Sequence, residues 1–165
     1  MIRELHRPIP LDRIGRDGMD VLVEATPAEC AALADRMQLP AVQSLTCAFH
    51  LQREDDDRVL ARGHLRASVV QTCIVSLEDF ETSVDETFRV RFVPSGEEEE
   101  EITDPESVDE IPYEGRALDL GEAAAEQLGL ALDPYPRMPD AELPDIEVEA
   151  DENPFARLAA LRRPN

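Results

Sequence analysis

Basic side chains recur at alternate positions between residues 58 and 66 of the sequence. These four residues share one predicted strand face, and two arginines of a later strand are also predicted to face outward. The six residues are Arg58, Arg62, His64, Arg66, Arg89 and Arg91. Residues two apart in a strand lie on one face, and guanidinium groups bind phosphate and carboxylate oxygens through paired hydrogen bonds. The pattern predicts contact with an RNA backbone or an acidic partner. The alternative is an ordinary solvated strand face, because the aromatic residues on which single-stranded RNA stacks are absent from it.

Five consecutive glutamates form the densest charge in the chain: Glu97, Glu98, Glu99, Glu100 and Glu101. The surrounding segment 95–110 holds nine acidic residues and no basic one. Like charges at this density repel one another and bury no apolar surface, so a mobile loop is expected. The functional alternative is an acidic surface that captures a basic protein or mimics nucleic acid.

Residues for catalysis or metal binding are sparse. The three histidines, His6, His50 and His64, come from separate segments, and no CxxC motif occurs. A zinc site requires clustered Cys and His ligands. A nucleophile–base pair of Cys73 with His50 is conceivable across neighbouring strands, but a cysteine on an apolar strand face is more often a core residue. The sequence therefore predicts no metal, no cofactor, no small-molecule substrate and no enzymatic activity.

The composition is strongly acidic. The 165 residues carry a formal charge of −21, and all sixteen basic residues are arginine. Residues 1–94 contribute −5 and residues 95–165 contribute −16. Such a chain is repelled by nucleic acid except at a local arginine patch, and it attracts basic proteins. Three widely spaced cysteines indicate a reducing compartment, and no apolar segment is long enough for a leader or a membrane span. We expect a cytoplasmic protein.

The elements that position these residues follow from periodicity. Alternating apolar residues predict strands at 19–25, 42–54, 58–66 and 82–93. The charged turn Asp55–Asp57 joins the second and third of these as an antiparallel hairpin. The third strand runs on through Cys73 and Leu77, with Gly63 as a bulge. Thr26, Pro27 and Glu29 predict a capped helix that ends at Pro40. Residues 111–137 form the best-marked segment: Asp119 and Glu122 suggest a capping box, and a helical apolar stripe follows it, namely Leu120, Ala124, Leu128, Ala131 and Leu132.

The last segment combines a capping Asn-Pro pair with apolar residues at helical spacing: Asn153, Pro154, Phe155, Leu158 and Leu161. It predicts a short helix that either packs on its own domain or docks in the groove of a partner. The predicted fold class is α+β, with an antiparallel sheet of four to six strands, compatible with a barrel-like closure, and two main helices. Residues 1–137 form one domain with an acidic loop at 95–110, residues 138–152 a linker, and residues 153–165 the docking segment.

Three segments together resemble the YceD family, the large ribosomal RNA subunit accumulation proteins of bacteria and plastids: QTCIVSLEDFETSV (71–84), DLGEAAAEQLGLALDPYPR (119–137) and NPFARLAAL (153–161). The similarity runs from about residue 18 to the C-terminus and is closest to alphaproteobacterial members. Many members carry a CxxC motif where this chain has Val70-Gln71-Thr72-Cys73, so the resemblance implies no metal site here.

The resemblance implies a non-catalytic factor for synthesis, processing or stability of large-subunit ribosomal RNA. Its partner would be a large-subunit ribosomal protein, the RNA or its precursor, or both. The charge asymmetry favours protein capture, or a mixed contact, over RNA alone. The alternative function is an acidic interaction module for a non-ribosomal partner.

Overall fold

The computed structural model describes residues 3–97 and 107–143. Two helices and seven strands occur there, with a 3-10 turn at Leu11–Arg13: β1 (Pro8–Pro10), β2 (Met19–Glu24), α1 (Pro27–Met37), β3 (Ala41–Arg53), β4 (Val59–Thr72), β5 (Asp79–Pro94), β6 (Asp109–Tyr113), β7 (Ala117–Asp119) and α2 (Leu120–Ala131). The α+β prediction is confirmed. The predicted linker beyond residue 143 and the docking segment lie outside the described residues.

The main sheet has five strands in the order β2-β3-β4-β5-β6, and β1 pairs separately with β7. The described strands form an open sheet, not a closed barrel. The prediction of an all-antiparallel sheet is wrong at one edge, because β6 runs parallel to β5. Asp109 and Glu110 belong to β6, so the predicted acidic loop ends before them. Glu110 belongs to a strand rather than to the loop because its carboxylate lies 3.8 Å from the Arg91 guanidinium of β5, which offsets the negative charge of Glu110.

The predicted hairpin of β3 and β4 is confirmed, with Leu51 opposite Ala61. Asp55 closes the turn between them, because its Oδ1 accepts hydrogen bonds from the backbone N–H groups of Asp57 (2.9 Å) and Arg58 (2.7 Å). This hairpin fixes the alternation that the sequence predicts: Val59, Ala61 and Leu65 are buried, whereas Arg62 and Arg66 are exposed.

Two predictions about β4 are wrong. The strand ends at Thr72, and Cys73 to Glu78 form a turn closed by a 2.8 Å hydrogen bond from the Cys73 N–H to the Glu78 carbonyl. Gly63 is not a bulge, since it pairs in regular register with Phe49 and Phe88. The irregularity lies between Val42 and Ser44. Gly63 is required for packing, because a Cβ there would lie 2.1 Å from Cζ of the Phe88 ring.

Helix α1 has the predicted capping box. The Thr26 hydroxyl accepts the Glu29 N–H, and the Glu29 carboxylate accepts the Thr26 N–H. Arg7 adds a two-pronged ion pair to Glu29, at 2.7 and 2.8 Å, and so ties the N-terminal segment to the start of α1. The hydrogen bond with Arg7 is the largest cause that lowers the pKa of Glu29 to about 2.

Helix α2 begins as predicted but is capped differently. Oδ1 of Asp119 accepts hydrogen bonds from the Gly121 and Glu122 N–H groups. Glu122 does not close a capping box, because its carboxylate binds the Arg36 guanidinium of α1 at 2.8 Å. The predicted apolar stripe is largely confirmed, with Leu120, Ala124 and Leu128 fully buried. These residues share one core with the inward sheet face and with α1.

The Arg7–Glu29 pair predicts a pH dependence of stability. The folded pKa of Glu29 lies below that of the unfolded chain, so the stabilisation is present above about pH 4.5 and is lost as the pH falls towards 2. In urea unfolding, the free-energy gap between the wild type and Glu29→Gln should shrink over this window by up to about 3 kcal/mol, less whatever solvent screening removes. A gap that stays constant from pH 7 to pH 2 would contradict the assignment.

Candidate nucleic-acid interface

The outward face of the main sheet carries the predicted basic surface. The strand register aligns two rows of side chains across β2, β3, β4 and β5. The first row is Asp20, His50, Arg62 and Arg89; the second is Leu22, Ala48, His64 and Thr87. Both rows line a groove of about 770 Å³ that crosses the four strands, and the residues between the rows complete its lining: Val21, Phe49, Gly63 and Phe88.

The groove is apolar at one end and basic at the other. Leu22 of the edge strand β2 is 66 % exposed and forms the apolar end. Phe49 and Phe88 pack edge to face behind the groove, with ring centroids 5.8 Å apart, and leave no aromatic ring in the two outward rows. The groove can therefore hold a chain of phosphates or carboxylates beside an apolar surface, but it does not stack bases.

Carboxylates already pair with several basic groups on this face. His50 Nδ1 lies 2.6 Å from Asp20 Oδ1, and His64 Nε2 lies 2.6 Å from Asp85 Oδ1. Arg66 Nε lies 3.6 Å from the other oxygen of Asp85. The hydrogen bond with His64 is the main cause that lowers the pKa of Asp85. These contacts shape the groove and give His50, His64 and Arg66 partners within the protein.

Arg62 and Arg89 differ from these neighbours. They lie directly opposite each other on β4 and β5, and both are exposed. Neither side chain makes a hydrogen bond or ion pair with another described residue. Like charges directly opposite each other destabilise a sheet. Two adjacent guanidinium groups with no partner among residues 3–97 and 107–143 are consequently an arrangement that an external anion would stabilise. We call these two residues the arginine pair.

The other two predicted arginines do not join the arginine pair. Arg91 binds Glu54 through two hydrogen bonds, of 2.6 and 3.2 Å, and so its charge holds the β3–β4 turn against β5. Arg58 lies in that turn, just before β4, outside the groove. The structure thus brings Arg62, His64, Arg66 and Arg89 together, and gives Arg91 a structural role.

A second, acidic recess of about 470 Å³ lies between β6 and α2. Its lining contains one arginine, Arg3, and five carboxylates: Glu110, Glu114, Asp119, Glu122 and Glu126. Asp119 is paired with Arg3 and Glu122 with Arg36. Burial, followed by repulsion from Glu122, raises the pKa of Glu126. Of the five glutamates predicted as an acidic surface, Glu97 is exposed, two residues beyond Ser95 at the rim; Glu98 to Glu101 lie outside the described residues.

Cys73 does not pair with His50. It lies buried beyond the far end of β4, where its Sγ accepts the backbone N–H groups of Met138 (3.4 Å) and Ser76 (3.5 Å). Hydrogen bonds from Ser76 are the main cause that lowers its pKa to about 7.

Within residues 3–97 and 107–143, no three His, Cys, Asp or Glu side chains converge as metal ligands. The helices of the same ranges are too short or too polar to cross a membrane.

Comparison with known protein families identifies the family of this chain. The family model for the large ribosomal RNA subunit accumulation protein YceD matches residues 61–162, more than half of the chain. The chain belongs to the YceD family. Searches of curated proteins and of solved structures gave no match. The name of the YceD family links it to accumulation of large-subunit ribosomal RNA.

The family match confirms the resemblance and places it on the structure. All three resembling segments fall within residues 61–162, whereas residues 18–60 lie before the match. The arginine pair lies inside the YceD-matched range, and the groove residues of β2 and β3 lie outside it.

Three groove residues are not predictable from the pattern within one strand: Asp20, Leu22 and Thr87. Their signal is the register across β2 to β5, which alternation within one strand does not reveal.

Proposed function

We propose that this YceD-family chain is a non-catalytic cytoplasmic factor. It supports the synthesis, processing or stability of large-subunit ribosomal RNA by binding that RNA, or its precursor, through the arginine pair. The observation that carries the proposal is the cross-strand position of Arg62 and Arg89, whose side chains have no partner in the part of the chain that the structure describes. Two guanidinium groups on neighbouring strands, about 5 Å apart at the backbone, suit adjacent oxygens of an RNA backbone. Membership of the YceD family supports large-subunit ribosomal RNA as the class of RNA.

The remaining surface restricts how RNA approaches. With a net charge of −21, most faces repel a phosphate backbone over about 8–10 Å at moderate salt. Binding should therefore be local, through a few phosphates, and selective for RNA shapes that reach the groove without meeting the acidic half. His50 and His64 hydrogen-bond the carboxylates of Asp20 and Asp85, so these two carboxylates do not bind the arginine pair.

Binding to large-subunit and small-subunit ribosomal RNA fragments tests the proposal directly. The dissociation constant should rise with salt, with a logarithmic slope of about 0.7 to 0.9 per phosphate contacted and only a few contacts in total. Tighter binding to the large-subunit fragment is expected. Equal binding to both fragments, or no binding at low salt, would count against RNA contact.

A second candidate function is capture of a basic ribosomal protein of the large subunit in the acidic recess. The observation that favours it is Glu126, whose pKa is raised by burial and by Glu122. A lysine or arginine of a partner would relieve this repulsion. Glu97, two residues beyond Ser95 of the recess lining, would extend the negative charge. The two contacts are compatible, since the groove and the recess share no lining residue.

Replacing Glu114 and Glu126 with glutamine should weaken binding of a basic large-subunit protein roughly tenfold at low salt, because two attractive charges are lost. Urea stability should stay unchanged or rise slightly, since a crowded carboxylate is removed. The matched control is Asp140→Asn with Glu142→Gln, which removes the same charge away from the recess. Equal weakening by both pairs would indicate a general charge effect rather than a recess.

Co-purification distinguishes a ribosomal partner from a non-ribosomal one. Ribosomal RNA lost on nuclease treatment, and ribosomal protein lost at high salt, would support the proposal. A partner set free of ribosomal components under all conditions would favour the alternative.

A further inference from the structure

Three large apolar side chains are exposed at one end of the molecule: Ile74 (50 %), Leu77 (76 %) and Tyr135 (70 %). Ile74 and Leu77 belong to the turn after β4, and Tyr135 belongs to the segment after α2. The two segments are joined by a 2.9 Å hydrogen bond from the Ile74 N–H to the Pro136 carbonyl. The Gln71 side chain adds another, of 3.1 Å, to the Asp133 carbonyl. We call Ile74, Leu77 and Tyr135 the turn patch.

Leu77 is unfavourable in two respects, its backbone conformation and the exposure of its side chain. Its φ of 60° lies in the left-handed region, which is unfavourable for a residue with a Cβ. Its side chain is also left in water. Glycine or asparagine would suit this backbone better. An apolar side chain held outward in a strained turn indicates a contact surface.

We propose that the chain's own segment 153–161 docks on the turn patch. The chain leaves the described fold beside it: the Met138 N–H donates to Cys73 Sγ at 3.4 Å, and the Ser76 hydroxyl lies 3.6 Å from Met138 Sδ. Between Leu143 and Asn153 are nine residues, which can span up to about 30 Å. Phe155, Leu158 and Leu161, spaced for one helix face, then meet Ile74, Leu77 and Tyr135.

Charge complementarity supports this occupant. Residues 153–165 contain three arginines and no acidic residue, within a half of the chain that is otherwise acidic. Five acidic residues lie in the two segments that form the patch or directly after them, and none forms an ion pair with a described residue: Glu78, Asp79, Asp133, Asp140 and Glu142. Exposed ion pairs contribute little each, so the apolar contacts provide the affinity and the charges set the orientation.

Tethering favours the chain's own segment over a separate partner. A short linker gives the segment an effective concentration near the millimolar range, so even weak apolar contacts suffice for docking. A competing place is the shallow apolar depression of about 450 Å³ between α1 and α2, lined by Met37, Gly129 and Leu130. Arg36 at its rim is already paired with Glu122, and Glu126 lines the same depression, so the measurement below is designed to distinguish the two places.

The test uses the full chain with a nitroxide spin label at Asn165→Cys. The three native cysteines are buried, so the label reacts selectively. The methyl signals of Ile74 and Leu77 should lose most of their intensity, and those of Leu130 should not. Phe155→Ala should restore the lost intensity. Leu77→Asn, which fits the left-handed turn, should restore the Ile74 signal, whereas the control Leu130→Asn should not.

Three results would overturn the proposal. One is broadening centred on Leu130, which would place the segment between the helices. Another is no broadening at Ile74. The third is broadening that appears only when spin-labelled chains are mixed with isotope-labelled chains, which would identify a second copy as the occupant. The proposal does not depend on RNA binding, and the measurement contains no RNA.

Discussion

Leu128→Asp is expected to abolish cooperative folding of the domain, whereas Leu130→Asp on the same helix is expected to leave it folded. Leu128 is fully buried in the core and Leu130 is 74 % exposed. An unpaired carboxylate in that core costs several kcal/mol beyond the lost burial of the leucine. This approaches the whole stability of an ordinary domain, about 5–15 kcal/mol. The exposed site should change stability by less than about 0.5 kcal/mol.

Circular dichroism and urea titration of both variants measure the difference. The Leu128 variant should show no sigmoidal transition, and the Leu130 variant should match the wild type. A Leu128→Asp protein that unfolds cooperatively near the wild-type midpoint but no longer binds RNA would contradict a structural role for α2 and would make this helix part of the interface.

Arg62→Ala combined with Arg89→Ala is expected to lower affinity for large-subunit ribosomal RNA roughly 10- to 100-fold at low salt, because two charge-assisted contacts are lost. The logarithmic salt slope should fall by about 2. Stability should be unchanged or should rise by a few tenths of a kcal/mol, since a like-charged cross-strand pair is removed. A gain in stability with a loss of binding distinguishes a binding site from a folding element.

The matched control is Arg16→Ala with Arg137→Ala, which removes two charges from exposed positions outside the groove that make no ion pair with a described residue. This control should reduce affinity only slightly. If both double variants weaken RNA binding alike, the effect comes from net charge, and the arginine pair is not a specific contact.

Local features of the fold could be predicted from the sequence, because they depend on neighbouring residues. The Thr26–Glu29 capping box, the Asp55 turn and the outward alternation of Arg62 and Arg66 all span a few positions. The exposed and the buried side chains of β4 follow directly from that alternation.

Features set by distant contacts could not be predicted. Glu122 has the spacing of a capping box, but Arg36, 86 residues earlier, takes its carboxylate. Arg91 has the same pattern as Arg89, yet Glu54 across the hairpin pairs with it. The parallel direction of β6 depends on where the chain returns after the glutamate run, and local patterning carries no signal for it. The distinction between paired and unpaired arginines, which defines the candidate interface, therefore required the structure.

The most direct test of the central claim is the ratio of large-subunit to small-subunit ribosomal RNA in cells depleted of this protein and complemented with variants. Depletion should lower the ratio, and the wild type and the Arg16/Arg137 control should restore it. The Arg62/Arg89 variant, expressed at the same level, should leave it low. A ratio that does not change on depletion would contradict the proposed role in ribosomal RNA accumulation, and full restoration by the Arg62/Arg89 variant would contradict the arginine pair as its contact.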